Sequence, residues 1–407
     1  MYNYLRNFFR KDRYQPTLTQ NSSRILNATF IQLFIIQILS MMTFYSLFVI
    51  IGPYAVNTYH VSTTMAGLIT GMTIIGTMVA RFGAGIMTAK FSAKSLTIIS
   101  MIILVPTLLA YQYHGGIAVL LLIRFIQGLA VGLTGTVTNT AVVNVIPTTR
   151  RAEGIAYFSL ATILGTAFGP FFALLIEQHA SYTVLFWIEF FIGIIALIAS
   201  LLIDPNRVVI KATPTTKKFS WQTLIEPKVL GISLTLGFVT FGYAAIQSEL
   251  DFYASDLNLT TFASYFFLVY AFAVLISRPV VGRLMDSKNE NYVVYPALII
   301  LAIGLVLLAL MSNGWTMLLA AIFIGFGFGN FQSAVQSTTT QMVPADRLTQ
   351  TTATYFICYE FSLGFGPSII GFIQPILGYQ NLFIMMAIIA VIGIVLYYLI
   401  HGRKVSA

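Results

Sequence analysis

Charge is scarce in this sequence. Only 9% of its 407 residues are Asp, Glu, Lys or Arg, against about 25% in soluble domains, and that shortage excludes an ordinary water-soluble surface. Cysteine is nearly absent: one residue, Cys358, leaves no disulfide within the chain and no CxxC metal or redox motif. The four histidines, His60, His114, His179 and His401, are far apart in sequence and do not cluster at ligand spacing, so neither a metal nor another cofactor is expected. A G-x-x-x-x-G-K-[ST] loop is missing, which removes the basis for an ATP-driven pump in this chain alone. The first 26 residues are polar and basic, with no apolar stretch of the secretory kind, and are expected to remain as a tail.

Apolar sequence fills the space that charge leaves. Hydrophobic residues make up 57% of the chain, and mean hydropathy is +0.85. Crossing a hydrocarbon layer of ~30 Å takes about 20 apolar residues in a helix. Twelve such runs occur, near 27–51, 63–88, 95–112, 117–146, 153–177, 182–203, 229–253, 262–285, 293–312, 315–343, 351–375 and 380–400. They are too long, and too free of period-2 alternation, for a membrane β-barrel. Lys and Arg are absent from the connections after the odd-numbered runs. The opposite side carries Lys90, Lys94, Arg150, Arg151, Arg207, Lys211, Lys217, Lys218, Lys228, Lys288, Arg347, Arg403 and Lys404, with five more in the tail. The positive-inside rule then predicts a multi-pass protein of the plasma (inner) membrane with both termini cytoplasmic. The net charge of +9 is assigned to anionic lipid rather than to nucleic acid.

The predicted fold is all-α and integral to the membrane, with twelve transmembrane helices in two six-helix pseudo-symmetric halves. The boundaries are a tail at 1–26, bundles at 27–203 and 228–400, a cytoplasmic linker at 204–227 with a short interfacial helix near Trp221–Leu224, and a tail at 401–407. The halves are related by a constant offset of 197 residues without a gap. It pairs Arg81 with Arg278, Gly85 with Gly282, Gly128 with Gly325, Gly132 with Gly329, Pro147 with Pro344, Arg150 with Arg347, and Gly169–Pro170 with Gly366–Pro367. Duplicated helical halves are an architecture of secondary transporters, with substrate bound near the midplane.

Four motifs sit on this frame. R-x-x-x-G-x-x-x-[AD] ends the second and eighth runs at Arg81–Gly85–Ala89 and Arg278–Gly282–Asp286. R-x-x-Q-G-x-x-x-G opens the fourth at Arg124, Gln127, Gly128 and Gly132. G-x-x-x-G-P occupies the fifth at Gly165, Gly169 and Pro170, and Gly-Pro-x-x-x-Gly the eleventh at Gly366, Pro367 and Gly371. Together they resemble the major facilitator superfamily, nearest its twelve-helix drug and metabolite exporters working by proton antiport. That resemblance implies a gating contact at Arg81, Gly85, Arg278, Gly282 and Asp286, where the glycines let a backbone come close and Asp286 bonds a neighbouring helix end. Ala89 stands where the family usually has Asp, which favours the second copy as the charge latch. It also implies bending and close packing at Gly165, Gly169 and Pro170, and a central path lined by the first, fourth, seventh and tenth helices.

Charges inside the runs are the candidates for chemistry, because a charge in hydrocarbon is costly and faces the interior of a bundle. They are Arg124, Glu189, Glu249, Asp251 and Glu360. At the 197-residue offset they meet Ala321, Met386, Gly52, Tyr54 and Ile163, so none is part of the repeated frame. Arg124 keeps its proton in proteins. Burial favours a neutral carboxyl and a nearby cation an ionised one, so motion of an acid relative to Arg124 would load and unload a proton. Glu360 and Glu249 are the preferred partners. Asp251 and Glu189 are further candidates, either interior or near the outer interface. The substrate cavity is expected to draw on Gln37, Tyr45, Gln127, Asn139, Tyr243, Asn330, Gln336 and Tyr359, with interhelical bonding and packing as the competing role for each. The expected function is export of a small organic molecule in exchange for protons, by a monomer without cofactor or enzymatic activity. A dedicated exporter of a zwitterionic metabolite, such as an amino-acid-derived metallophore or a sugar, is the alternative within transport. A transporter-like sensor is the alternative outside it.

Overall fold

Hydrocarbon offers no partner to a backbone N–H or C=O, so a chain this apolar satisfies those groups within helices. The computed structural model describes residues 25–147, 151–204, 225–343 and 347–405, and among them it is helical with no strand. In order the helices are α1 (Ala28–Tyr59), α2 (Thr63–Lys90), α3 (Ala93–Ala110), α4 (Ile117–Val145), α5 (Arg151–His179), α6 (Tyr182–Leu201), α7 (Pro227–Asp256), α8 (Thr260–Ser287), α9 (Asn291–Ala309), α10 (Gly314–Gln341) and α11 (Leu348–Tyr397). Eleven helical segments among the described residues are long and apolar enough to cross a membrane. Their outward faces carry bare apolar side chains, such as Ile276, Phe372 and Ile376 at 64–72% exposure, a surface suited to lipid and not to water.

Local chemistry sets several boundaries. Ser92 accepts from the Ser95 amide at the start of α3. Asn313 and Thr316 form a reciprocal capping box at the start of α10. Glu226 caps α7, with Pro227 in its first turn. Inside α10 the run Gly325–Gly329 is π-helical. The wider turn leaves a carbonyl, Phe326 O, that Asn330 Nδ2 takes up at 2.8 Å, while Ser277 of α8 donates to Asn330 Oδ1 at 3.0 Å. The 50 residues of α11 are interrupted at Gly378, whose φ of 73° and ψ of 164° suit glycine best. A straight helix of that length would run about 75 Å, more than twice the hydrocarbon thickness.

Two compact units emerge. One comprises Met1–Leu47, Met72–Gly169 and His179–Thr216; the other comprises Phe48–Gly71, Pro170–Gln178 and Lys217–Ala407. In the first unit α2 and α4 cross at glycines: a Cβ at Gly128 would overlap Thr73 O, and one at Gly132 would lie 2.7 Å from Thr77 Cα. α5 meets α1 where a Cβ at Gly169 would come within 2.7 Å of Met42 O. In the second unit α7 runs along α11, and α8 and α9 pack on α10. There a Cβ at Gly325 would lie 2.6 Å from Tyr270 O, and one at Gly329 would lie 2.5 Å from Val274. Tyr270 and Val274 stand 197 residues after Thr73 and Thr77. The ends of α2 and α5 within this unit pack on second-half helices. Side chains at Gly67 and Gly71 would collide with the backbone at Pro367 and Gly364, and Thr63 Oγ1 donates to Gly371 O at 2.7 Å. Gln178 donates to Thr260 O and Ser264 Oγ at 2.7 and 2.9 Å.

The glycine crossing makes a prediction. Gly128→Val places a branched side chain against the α2 backbone and is expected to destabilise the first unit by about 1–3 kcal/mol or more, read as a lower melting temperature in detergent. Gly83→Ala, where a Cβ meets nothing within 4 Å, is the matched control and should melt like the parent.

Candidate functional site

Arg124 sits one-quarter of the way along α4 and is fully buried, as is Gln127 one turn on. The i,i+3 spacing puts both on one helical face, and Arg124 Nη1 donates to Gln127 Oε1 at 2.9 Å. The same oxygen accepts from Tyr111 OH at 2.6 Å, and Arg124 Nη1 reaches that hydroxyl at 3.5 Å. Tyr111 closes α3 and is 2% exposed; its ring stacks on Phe186 of α6 at 5.2 Å. One turn from Phe186 stands Glu189, 3% exposed, with Oε1 accepting from Ser46 Oγ of α1. Its Oε2 has no hydrogen-bond partner among the described residues. Tyr111 lies within electrostatic reach of both Arg124 and Glu189. Four helices of the first unit therefore bring a guanidinium, an amide, a phenol, a carboxyl and a hydroxyl together in a buried interior.

Other expected residues of this unit fall around that cluster. Gln37 is buried as a tie between helices, accepting from Thr138 Oγ1 at 2.7 Å and donating to Thr162 Oγ1 at 3.4 Å. Tyr45 is half-buried and edge-on to Phe44. Asn139 is exposed within a membrane-capable helix, its amide bonded to Gly135 O. Arg81 is half-buried in α2. The surroundings of Gly85 and Ala89, and of Asp286 in α8, are outside the described residues, as are Pro344, Arg150 and the linker with its expected helix near Trp221–Leu224. α5 passes from the first unit to the second between Gly169 and Pro170.

The second unit holds the remaining acids. Glu249 is 3% exposed with an unpartnered Oε2 among the described residues, and Glu360 is 6% exposed on α11. Asp251 is half-buried near Glu177. Glu249, Asp251 and Asp256 all act on Tyr379. Tyr243 is packed between Tyr270 and Phe328 at ring distances of 5.5 and 4.4 Å, with its hydroxyl accepting from Gln247. Tyr359 stacks on Tyr355, Asn330 secures the π-helical stretch, and Gln336 is exposed. Arg278 donates to Ser333 Oγ of α10. At Gly282 a Cβ would meet nothing within 4 Å among the described residues.

Sequence reasoning missed two contacts. Arg347 Nη1 donates to Glu226 Oε2 at 2.9 Å, joining the start of α11 to the cap of α7, and the Glu226 amide donates to Thr354 Oγ1. Glu226 lay hidden at the edge of the linker. His401 Nε2 lies 2.6 Å from Glu290 Oε1, beside the Tyr397–Asn291 bond. No group of three or more metal-ligating side chains occurs among the described residues.

These features match a known family. The Major Facilitator Superfamily model covers residues 33–367 and 297–406, and the chain belongs to that family of membrane transporters. It is 23% identical to an uncharacterized MFS-type transporter of Methanocaldococcus jannaschii, over 81% of this chain and 88% of that one. It is also 23% identical to the quinolone resistance protein NorA of Staphylococcus aureus, over 64% and 69%, and to a probable sugar efflux transporter of Pasteurella multocida, over 78% and 78%. Among solved structures the fold resembles the nucleoside transporter NupG (TM-score 0.72, 15% identity, 91% and 99% covered). It also resembles a bacterial homologue of the lysosomal transporter Spinster in an inward-facing, unoccupied conformation (TM-score 0.76, 14% identity, 94% and 98% covered). The chain is a transporter and not an enzyme.

The Arg347 guanidinium, bonded to the Glu226 carboxylate, holds that group below the usual carboxylate range. A depressed folded value means stability that is present above the unfolded value, about 4.3, and lost as pH falls through the folded one. The melting temperature of the parent should therefore exceed that of Glu226→Gln at neutral pH, and the difference should close as the solution is acidified below about pH 4. A difference that persists unchanged in acid would remove the ion pair as its cause.

Proposed function

We propose that this transporter exports a small organic molecule across the plasma membrane by alternating access, in exchange for protons, acting as a monomer with both termini in the cytoplasm. The observation that carries the reading is a fully buried arginine in a membrane helix, with a buried carboxyl in the same unit. Holding arginine at the centre of a spanning helix costs about 2.5–3.5 kcal/mol on insertion scales, and a permanently charged group in the same unit as an acid that can exchange a proton is a use that repays that cost. Glu360, Glu249 and Asp251 supply further intramembrane carboxyls in the other unit. The relatives named for quinolone resistance and sugar efflux favour outward transport.

Twelve crossings in two repeated halves are part of the same proposal. α2 and α8 have equal lengths of 28 residues and start 197 positions apart. Gly378, where α11 breaks, stands 197 after Ser181, the residue that precedes α6. The segment after the break then serves as a twelfth crossing. For cargo, an interior holding both a guanidinium and carboxyls favours a zwitterionic or polar metabolite over a purely hydrophobic cation.

In inside-out vesicles loaded with a pH probe and acidified within, addition of cargo should release lumenal protons. Arg124→Ala, still folded by its melting curve, should abolish that release; normal exchange by the variant would remove Arg124 from the mechanism. Comparing the growth medium of parent and deletion cells separates cargoes. A dedicated exporter predicts one missing compound, whereas a broad drug pump predicts altered tolerance to many.

A further inference from the structure

The five polar residues of the Arg124 cluster have counterparts 197 positions later, and every one is apolar or aromatic. Ser46, Tyr111, Arg124, Gln127 and Glu189 correspond to Tyr243, Leu308, Ala321, Ile324 and Met386. All ten are buried, none more than 3% exposed. The equivalent spot in the second unit is thus ordinary core, where Met386 packs on Gly242 and Ile324 on Gly304. Exchanging buried polar groups for well-packed apolar ones is often neutral or stabilising. The frame does not require a polar cluster at this place, since it is built without one in the other copy.

Within the cluster the parts differ in how well they are satisfied. Arg124 Nη1 and the Tyr111 hydroxyl converge on Gln127 Oε1. Glu189 has a single hydrogen bond among the described residues, from Ser46, and its second oxygen is bare. A carboxyl so enclosed either carries a proton or faces a cation, because an isolated carboxylate away from water is costly. Among the described residues the titratable group near it is Tyr111 from the end of α3, whose hydroxyl Arg124 of α4 reaches; α1 contributes the neutral Ser46. Glu249 also has a bare oxygen, yet the groups acting on its neighbour Tyr379 are all acids. Only at Glu189 does the described surrounding combine an incompletely bonded carboxyl with a guanidinium one phenol away.

We propose that Glu189 is the carboxyl that binds the transported proton, held by Ser46 and switched by the position of Arg124. This rests on the proton-exchange reading and selects an acid within the arginine's own unit in place of Glu360 or Glu249. With Arg124 held by Gln127 and Tyr111, a proton from water adds to Glu189 Oε2 and forms its O–H bond. When helix movement brings the guanidinium towards Glu189, that bond breaks and the proton returns to water, leaving a carboxylate facing the guanidinium. Arg124 keeps its charge throughout.

The test is pH-difference infrared spectroscopy of the purified full-length transporter, following the C=O stretch of protonated carboxyls. Glu189→Gln should lose one titrating component that Glu249→Gln retains. Ser46→Ala keeps the carboxyl but removes its donor, and should shift that component in frequency and midpoint, which preserves the test if Glu189→Gln folds poorly. A component unchanged in both the Glu189 and Ser46 variants overturns the proposal. In vesicles, Glu189→Gln should lose proton release while still exchanging a labelled quinolone across the membrane without a pH gradient; proton release equal to the parent overturns it too. A parent protein that shows the infrared component but releases no protons on transport would instead sink the antiport reading and leave Glu189 as a proton site.

Discussion

Everything in this molecule follows from the absence of water around its helices. Without water there is no apolar penalty to drive one helix onto another, because lipid tails are as apolar as leucine. Association then depends on close van der Waals contact and on hydrogen bonds between helices. Glycine supplies the first: Gly128 and Gly132 bring α4 against α2, and Gly325 and Gly329 bring α10 against α8. Buried threonine, serine and glutamine supply the second, as Gln37 does between α1, α4 and α5. The same lack of water makes each buried charge a liability unless neighbours hold it, which is why Arg124 comes with Gln127 and Tyr111 attached.

Repetition gives this constraint a useful contrast. Backbone contacts recur at the 197-residue spacing, whereas the polar cluster does not. The glycine contacts at Gly128 and Gly132 match those at Gly325 and Gly329, whereas Arg124 and Glu189 meet Ala321 and Met386 at that spacing. Gln37 and Gln127 are both fully buried amides, yet Gln37 ties hydroxyls on two other helices and Gln127 organises an arginine. Burial alone does not separate those roles; the identity of the partner does.

Much of this was readable beforehand, for a physical reason. Gly, Pro and Arg act through the backbone or through unavoidable charge, so their spacing marks the helix crossings and singles out Arg124, which meets Ala321 at the 197-residue offset. Helix faces were harder to read, because a helix apolar on nearly all sides gives no periodic signal. Tyr243 was therefore open to either a cavity or a packing role, and the structure shows the aromatic stack it makes. Tyr111 gave no sign at all, since a tyrosine at a helix end looks like any interfacial aromatic. Glu226 was masked by its place beside a proline-rich linker, where a charge is unremarkable until its partner Arg347, 121 residues away, is brought to it.

The two kinds of feature meet at the unit boundary. α5 changes unit between Gly169 and Pro170, and Pro170 removes a backbone donor there. α1 changes unit between Leu47 and Phe48, next to Ser46, the residue that bonds Glu189. The carboxyl is thus bonded to a helix that contributes to both units, and the arginine stands on one within the first.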